Sequence, residues 1–179
     1  MVLMARRRTN RSALGFSLME LVIAVSVLAV GLLGGMSVIC VAVASNGGSK
    51  LNTTAATLAE STMERILAIP QGAANPATSV TDCTGNTFQI NTLLGGSPVT
   101  ANGLFPGVNY AQAPVAGYSM LYATCSAGPA LVYDVRWNIA QGPTPATQLV
   151  TVSVKSVAAE GNPAAGLARK FTLHSLRAN

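Results

Sequence analysis

Gly15-Phe-Ser-Leu-Met-Glu20-Leu-Val-Ile-Ala-Val-Ser-Val-Leu-Ala-Val30-Gly-Leu-Leu-Gly-Gly-Met-Ser-Val-Ile-Cys40-Val-Ala-Val-Ala44 is the stretch that decides how this chain reads. Every residue over 21–44 is apolar or small and none is charged. That is about 24 residues, against the roughly 20 that a helix needs to cross the hydrocarbon of a bilayer. Arg6, Arg7, Arg8 and Arg11 stand just ahead of it and charge is scarce just after it. Basic residues favour the cytoplasmic flank, so the N-terminus is expected inside and the rest of the chain outside.

Downstream of Ala44 the composition shifts through Ser45, Asn46, Gly47, Gly48 and Ser49, which either ends the helix or merely loosens it. Beyond that, Leu51, Ala55, Leu58, Thr62, Ile66 and Ile69 recur at steps of three and four, the spacing of one face of a helix. Asn52, Thr53, Glu60, Glu64 and Arg65 fall mostly on other faces, and Pro70 supplies a stop. The pattern predicts one nearly continuous helix over 16–69, roughly 80 Å long at 1.5 Å per residue. Its second half is amphipathic and therefore expected to cover something.

Residues 72–128 are rich in Gly, Pro, Asn, Ser and Thr, and read as loops carrying one or two short strands, around 87–90 and 117–123. Three later segments are firmer. Leu131, Tyr133, Val135, Trp137 and Ile139 alternate with Val132, Asp134, Arg136 and Asn138, as a half-buried strand requires. Val150, Val152 and Val154 alternate with Thr151, Ser153 and Lys155 in the same way, and Phe171, Leu173 and Ser175 make a weaker third. Turn residues at 142–145 and 161–166 separate them into an antiparallel sheet whose apolar face the 51–69 helix face would cover. The expected class is therefore α+β, a long N-terminal helix on a small antiparallel sheet.

The formal net charge of +5 invites a nucleic-acid reading. Four of the eleven basic residues are the arginines ahead of the apolar run, which leaves 7 against 6 acidic residues, near +1. Lys155, Arg169, Lys170 and Arg177 are scattered and lack an aromatic stacking partner, so nucleic acid is not an expected partner. Charged residues are 9% of the chain, well under the roughly 25% of an ordinary soluble domain.

Cys40 lies in the apolar run and is expected as a small buried thiol, whereas Cys83 and Cys125 lie in the polar remainder. If that remainder is exported, a bond between Cys83 and Cys125 closes a loop worth about 4 kcal/mol by the chain-entropy argument; the alternative is two separate thiols. No catalytic residue is assigned. The remainder holds one histidine, His174, and three carboxylates, Asp82, Asp134 and Glu160, without metal-ligand spacing or a nucleophile elbow. Neither an enzyme, a metal nor a cofactor is expected. His174 reads as a solvated surface residue and Trp137, in an alternating strand, as core.

Gly15, Phe16 and Glu20, behind a short arginine-rich leader and ahead of an apolar helix, resemble the N-terminus of type IV pilin precursors. The resemblance implies that residues 1–15 are a cytoplasmic leader removed by a prepilin peptidase between Gly15 and Phe16, and that the new Phe16 amine is N-methylated. It implies that 16–44 are the transmembrane and filament-core half of the helix, 45–70 its amphipathic half, and 71–179 a periplasmic or extracellular β-rich head. It further implies that Glu20 meets the Phe16 amine of a neighbouring subunit. An ionisable group at the edge of a bilayer-spanning helix is costly and calls for such a partner.

Gly31, Gly34 and Gly35 read either as points of close helix packing or as local loosening of the helix, which the family resemblance attaches to passage from lipid to filament. Major pilins often carry a helix-interrupting proline here; this chain has none before Pro70. The runs 27–34, 57–65 and 133–139 are similar to PilV-type minor pilins and to minor pseudopilins of type II secretion. Expected partners are thus other pilins or pseudopilins through the helix, in a homo- or hetero-oligomeric filament, and an inner-membrane assembly platform. Two plainer readings compete: a secretory signal cut after Ala44, and a simple single-pass anchor with Glu20 reaching to the interface. The apolar run exceeds a signal core of roughly 7 to 15 residues.

Overall fold

The computed structural model describes residues 17–71, 73, 75–100, 105–125, 130–157 and 170–178. The chain divides into two compact units, Met1–Ala42 and Val43–Asn179. A single helix, α1 (Leu18–Leu67), runs through the division and accounts for 50 residues. The Asn46-Gly47-Gly48 break in composition does not interrupt it, and neither do Gly31, Gly34 or Gly35. Thr53 and Thr54 hydroxyls donate to the carbonyls of Ser49 and Lys50 just past the glycine pair, so local polar groups stay satisfied within the helix.

Among the described residues of the second unit, seven strands follow the helix: β1 (Ala77–Thr81), β2 (Thr87–Asn91), β3 (Gly95–Gly96), β4 (Ser119–Thr124), β5 (Leu131–Gln141), β6 (Thr147–Val157) and β7 (Phe171–Ala178). β1 and β2 form an antiparallel hairpin of their own. The main sheet runs β7-β6-β5, all antiparallel, and the far edge of β5 is shared by β4 along its first half and the short β3 beyond it. The α+β class expected from sequence is the one observed.

The core forms where period meets period. Leu51, Ala55, Leu58, Ala59, Thr62, Met63 and Ile66 are buried along one face of α1. All but Thr62 join a single cluster with Tyr133, Val135, Trp137 and Ile139 of β5 and Val150, Val152 and Val154 of β6. Registration pairs Trp137 with Val152, Val135 with Val154 and Ile139 with Val150, placing these apolar residues of the two strands on one face, the one that joins the helix in the core. Each large side chain buried in this way contributes roughly 1.5–3 kcal/mol. Trp137 is fully buried, as its place in an alternating strand predicts, and donates its Nε1–H to the Asn91 carbonyl at 2.9 Å.

Two expectations need correction. The 72–128 region holds more regular structure than one or two strands: β1 escaped the sequence reading because only Val80 of its five residues is buried, too little for an alternating signal. The strands β5 and β6 are not half-buried either. Arg136, Thr151 and Ser153 on the second face are buried as well, because the 105–117 segment lies over it, with Val108 buried and Arg136 Nη1 donating to the Gln112 carbonyl at 2.7 Å.

Gly96 is where β3 approaches β5 closely. Its φ is +125°, and a Cβ there would stand 2.6 Å from the Trp137 carbonyl oxygen and 2.9 Å from Asn138 Cα, so only glycine fits.

Candidate functional site

The side chains over 18–43 of α1 that carry bulk are open to the surroundings: Leu18 is 81% exposed, Val30 72% and Leu33 71%. A helix hydrophobic all round and exposed among the described residues is a surface for lipid or for other helices. At roughly 1.5–3 kcal/mol per large side chain, covering this run amounts to tens of kcal/mol, more than an ordinary domain's entire stability. Two hydroxyls in the run are satisfied internally: Ser26 Oγ donates to the Val22 carbonyl at 2.8 Å and Ser37 Oγ to that of Gly34 at 2.7 Å. By length and composition α1 can cross a membrane. Cys40, expected as a buried thiol, is exposed on this same surface, where no described residue covers the helix.

Glu20 is the acidic residue of the first turn and is exposed. The Ser17 carbonyl accepts the Leu21 N–H at 3.2 Å, which puts Ser17 at the start of the helix and Glu20 three residues on, the Ser-x-x-Glu spacing of a capping box. Among the described residues, Glu20 has no ion-pair partner. The positive end of the helix favours a carboxylate here by about 0.3–1 kcal/mol, less than the several kcal/mol that burial in hydrocarbon costs. Glu20 therefore needs a cation once it leaves water. Gly15 and Phe16, the expected cleavage and methylation positions, lie outside the described residues.

A Cβ built on Gly31, Gly34 or Gly35 meets nothing within 4 Å. No described residue requires these three to be glycine. They present backbone on the exposed apolar surface, as small residues do where membrane helices approach each other closely.

Comparison of the chain with family models, with curated proteins and with solved structures gives no match.

The second unit brings together residues that the sequence left scattered. Cys83 and Cys125 are bonded, tying the end of the β1–β2 hairpin to the end of β4. Beside the bond, Asp82 accepts from the backbone N–H and hydroxyl of Thr84, from the backbone and side-chain amides of Asn86, and from the Ala123 N–H. Burial alone would raise its pKa, but these hydrogen bonds outweigh that and hold it at about 2. Its oxygens are thus committed to the turn. Asp134 pairs with Arg136 at 2.8 Å.

Arg177, grouped by sequence with a solvated basic face, is buried. His174 is half-buried rather than solvated: Thr151 Oγ1 lies 3.1 Å from its Nδ1, Phe105 packs on its ring, and burial lowers its pKa. Neither placement had a signal in the sequence, since both depend on which elements cover the ends of β6 and β7.

Proposed function

We propose that this chain is a minor subunit of a type IV pilus, a precursor held in the bacterial inner membrane by its apolar helix and built into the filament through that helix. The observation that carries this reading is an uninterrupted apolar helix surface, exposed among the described residues, with a single carboxylate in its first turn that has no ion-pair partner among them. In this reading a prepilin peptidase cuts between Gly15 and Phe16, the Phe16 amine is methylated, and that amine becomes the partner of Glu20 in the adjacent subunit. The pairing sets the stagger between helices that are otherwise featureless and apolar. In low dielectric it matters far more than an exposed ion pair would.

The disulfide-closed sheet unit fits the periplasm or cell surface, since such bonds persist in oxidising compartments. The proline-free span supports a minor rather than a major subunit. The role is then assembly, adhesion or motility; a minor pseudopilin of type II secretion shares the same helix chemistry and is the second reading.

The deciding experiment is the mass of the mature N-terminus together with incorporation of Glu20→Ala. N-methyl-Phe16 and a Glu20→Ala protein that accumulates in the membrane but is missing from filaments support the reading. A chain beginning at Ser45 or retaining Met1, or full incorporation of Glu20→Ala, overturns it.

A further inference from the structure

The second unit carries a small concavity of about 260 Å³ lined by Thr100, Val108, Asn109, Tyr110, Lys155 and Lys170. Its charge balance is one-sided. Arg136 lies 4.8 Å from the Tyr110 ring centroid and Lys155 Nζ 5.8 Å from it. Among the described residues the carboxylate alongside is Asp134, the cross-strand neighbour of Lys155, and it is held by three N–H···O contacts from Arg136 at 2.8–3.1 Å. That pair cancels. Lys155 and Lys170 are both exposed and have no ion-pair partner among the described residues, which leaves two uncompensated ammonium groups at one hollow.

The neutral lining is polar in a matching way. Gly107 lies next to two of the lining residues: a Cβ there would stand 3.7 Å from Lys170 Nζ and 3.8 Å from Thr100 Oγ1, so its absence leaves room beside both. Thr100 Oγ1 donates its hydrogen to the Gly107 carbonyl at 3.0 Å and keeps its lone pairs for another donor. Asn109 Oδ1 accepts the Ala111 N–H at 3.0 Å, which leaves its amide NH₂ as a donor. Two cations, one amide donor and one hydroxyl acceptor around a space somewhat under the roughly 300–1,000 Å³ of drug-sized pockets describe a ligand of one ring with an acid and hydroxyls on it.

We propose that this concavity binds a uronic-acid-type saccharide residue, its carboxylate between Lys155 and Lys170 and its ring hydroxyls at Asn109 Nδ2 and Thr100 Oγ1. Nucleic acid fits less well. Proteins that hold its backbone neutralise several phosphates, typically 6–10 for strong binders, and stack bases on exposed aromatics. Here Arg177 is buried and the Tyr110 hydroxyl is tied to the Asp134 carbonyl at 3.2 Å. The site lies within the second unit and is independent of the filament reading.

The test is a titration of the full chain in detergent micelles with sodium glucuronate, followed by amide proton–nitrogen shifts. Glucose, inorganic phosphate and a single-stranded oligodeoxynucleotide are run in parallel. A saturable shift confined to the residues of this hollow, at least roughly tenfold weaker for glucose and for phosphate, is the expected result. Lys155→Gln and Lys170→Gln should each weaken glucuronate binding by about the same factor, the loss expected for one charge-assisted hydrogen bond. Both lysines are exposed, so the variants keep the fold, which an unchanged unfolding midpoint verifies. Glucuronate affinity as high as the parent's in either variant, phosphate binding as tightly as glucuronate, or tight salt-sensitive binding of the oligonucleotide alone each overturns the proposal.

Discussion

Arg177, on the last strand, donates from Nη1 to the carbonyl of Ile66, on the last turn of α1, at 3.1 Å. The same nitrogen reaches the Ile69 carbonyl at 3.0 Å, Nη2 reaches that of Thr92 at 3.2 Å, and Gln148 Oε1 accepts from both Nε and Nη2. All five guanidinium N–H groups are thereby used. A helix end leaves carbonyls without partners and carries partial negative charge, so a cation at this point answers both needs at once.

Removing that clasp leaves buried carbonyls unpaired. Arg177→Met is expected to destabilise the second unit by about 3 kcal/mol, measured as a shift in the urea unfolding midpoint of the detergent-solubilised chain. Arg177→Lys should restore less than half, since one ammonium cannot reach three separate elements. A Met variant as stable as the parent would show that water serves the carbonyls equally well.

The disulfide gives a second expectation. Without reductant, one thiol per chain, Cys40, should react with an alkylating agent in denaturant; with reductant, three should. The Cys83→Ser, Cys125→Ser double variant should lose about 4 kcal/mol by the loop-entropy argument, less any structure kept by the hairpin in the unfolded chain. Two reactive thiols more than expected in the untreated protein exclude the bond.

Much of this architecture is legible in the residues themselves. The helix over 18–67, the alternation of Tyr133, Val135, Trp137 and Ile139, and the valine triplet at 150, 152 and 154 each repeat with the period of the element they form. What escaped reading is what periodicity does not encode. β3 is two glycines whose role comes from φ and close approach, β1 is nearly all surface, and Arg177 is a charged residue whose burial depends on a carbonyl 111 residues away. Glu20 was legible as an anomaly, a charge at the edge of an apolar run, and it has no ion-pair partner among the described residues.

Asp82 sets a pH dependence whose direction follows from its low pKa. Folded, it holds its proton only below about 2; unfolded, it takes one near 3.8. The folded state is therefore favoured in full above about pH 5, and this contribution fades as pH falls through 4 toward 2. Asp82→Asn should flatten the acid limb of a stability-versus-pH curve between those values, followed by circular dichroism. An unchanged acid limb assigns the acid sensitivity to other carboxylates.

Gly96 and Gly85 separate two costs that usually travel together. Both have positive φ, +125° and +90°, but a Cβ at Gly85 meets nothing within 4 Å whereas at Gly96 it collides with backbone of β5. Gly85→Ala should cost about 1 kcal/mol, the strain of the backbone conformation alone. Gly96→Ala should cost on the order of 3 kcal/mol, strain and displacement of β3 combined. Equal costs for the two substitutions, read from thermal unfolding, mean that β3 shifts freely along the edge.

The glycines of the span distinguish packing between chains from propensity within one. Since nothing in the chain contacts a Cβ at Gly31, Gly34 or Gly35, replacing all three with alanine leaves the isolated helix unharmed and favours it by up to about 1 kcal/mol per site. Circular dichroism in micelles should show equal or greater helicity. If close approach of neighbouring helices at these positions matters to assembly, the same triple variant should nevertheless enter filaments less than half as well as the parent. A helix made more regular and a filament made worse cannot both come from the single chain. Undiminished incorporation would leave these glycines without a packing role and move the whole burden of register onto Glu20.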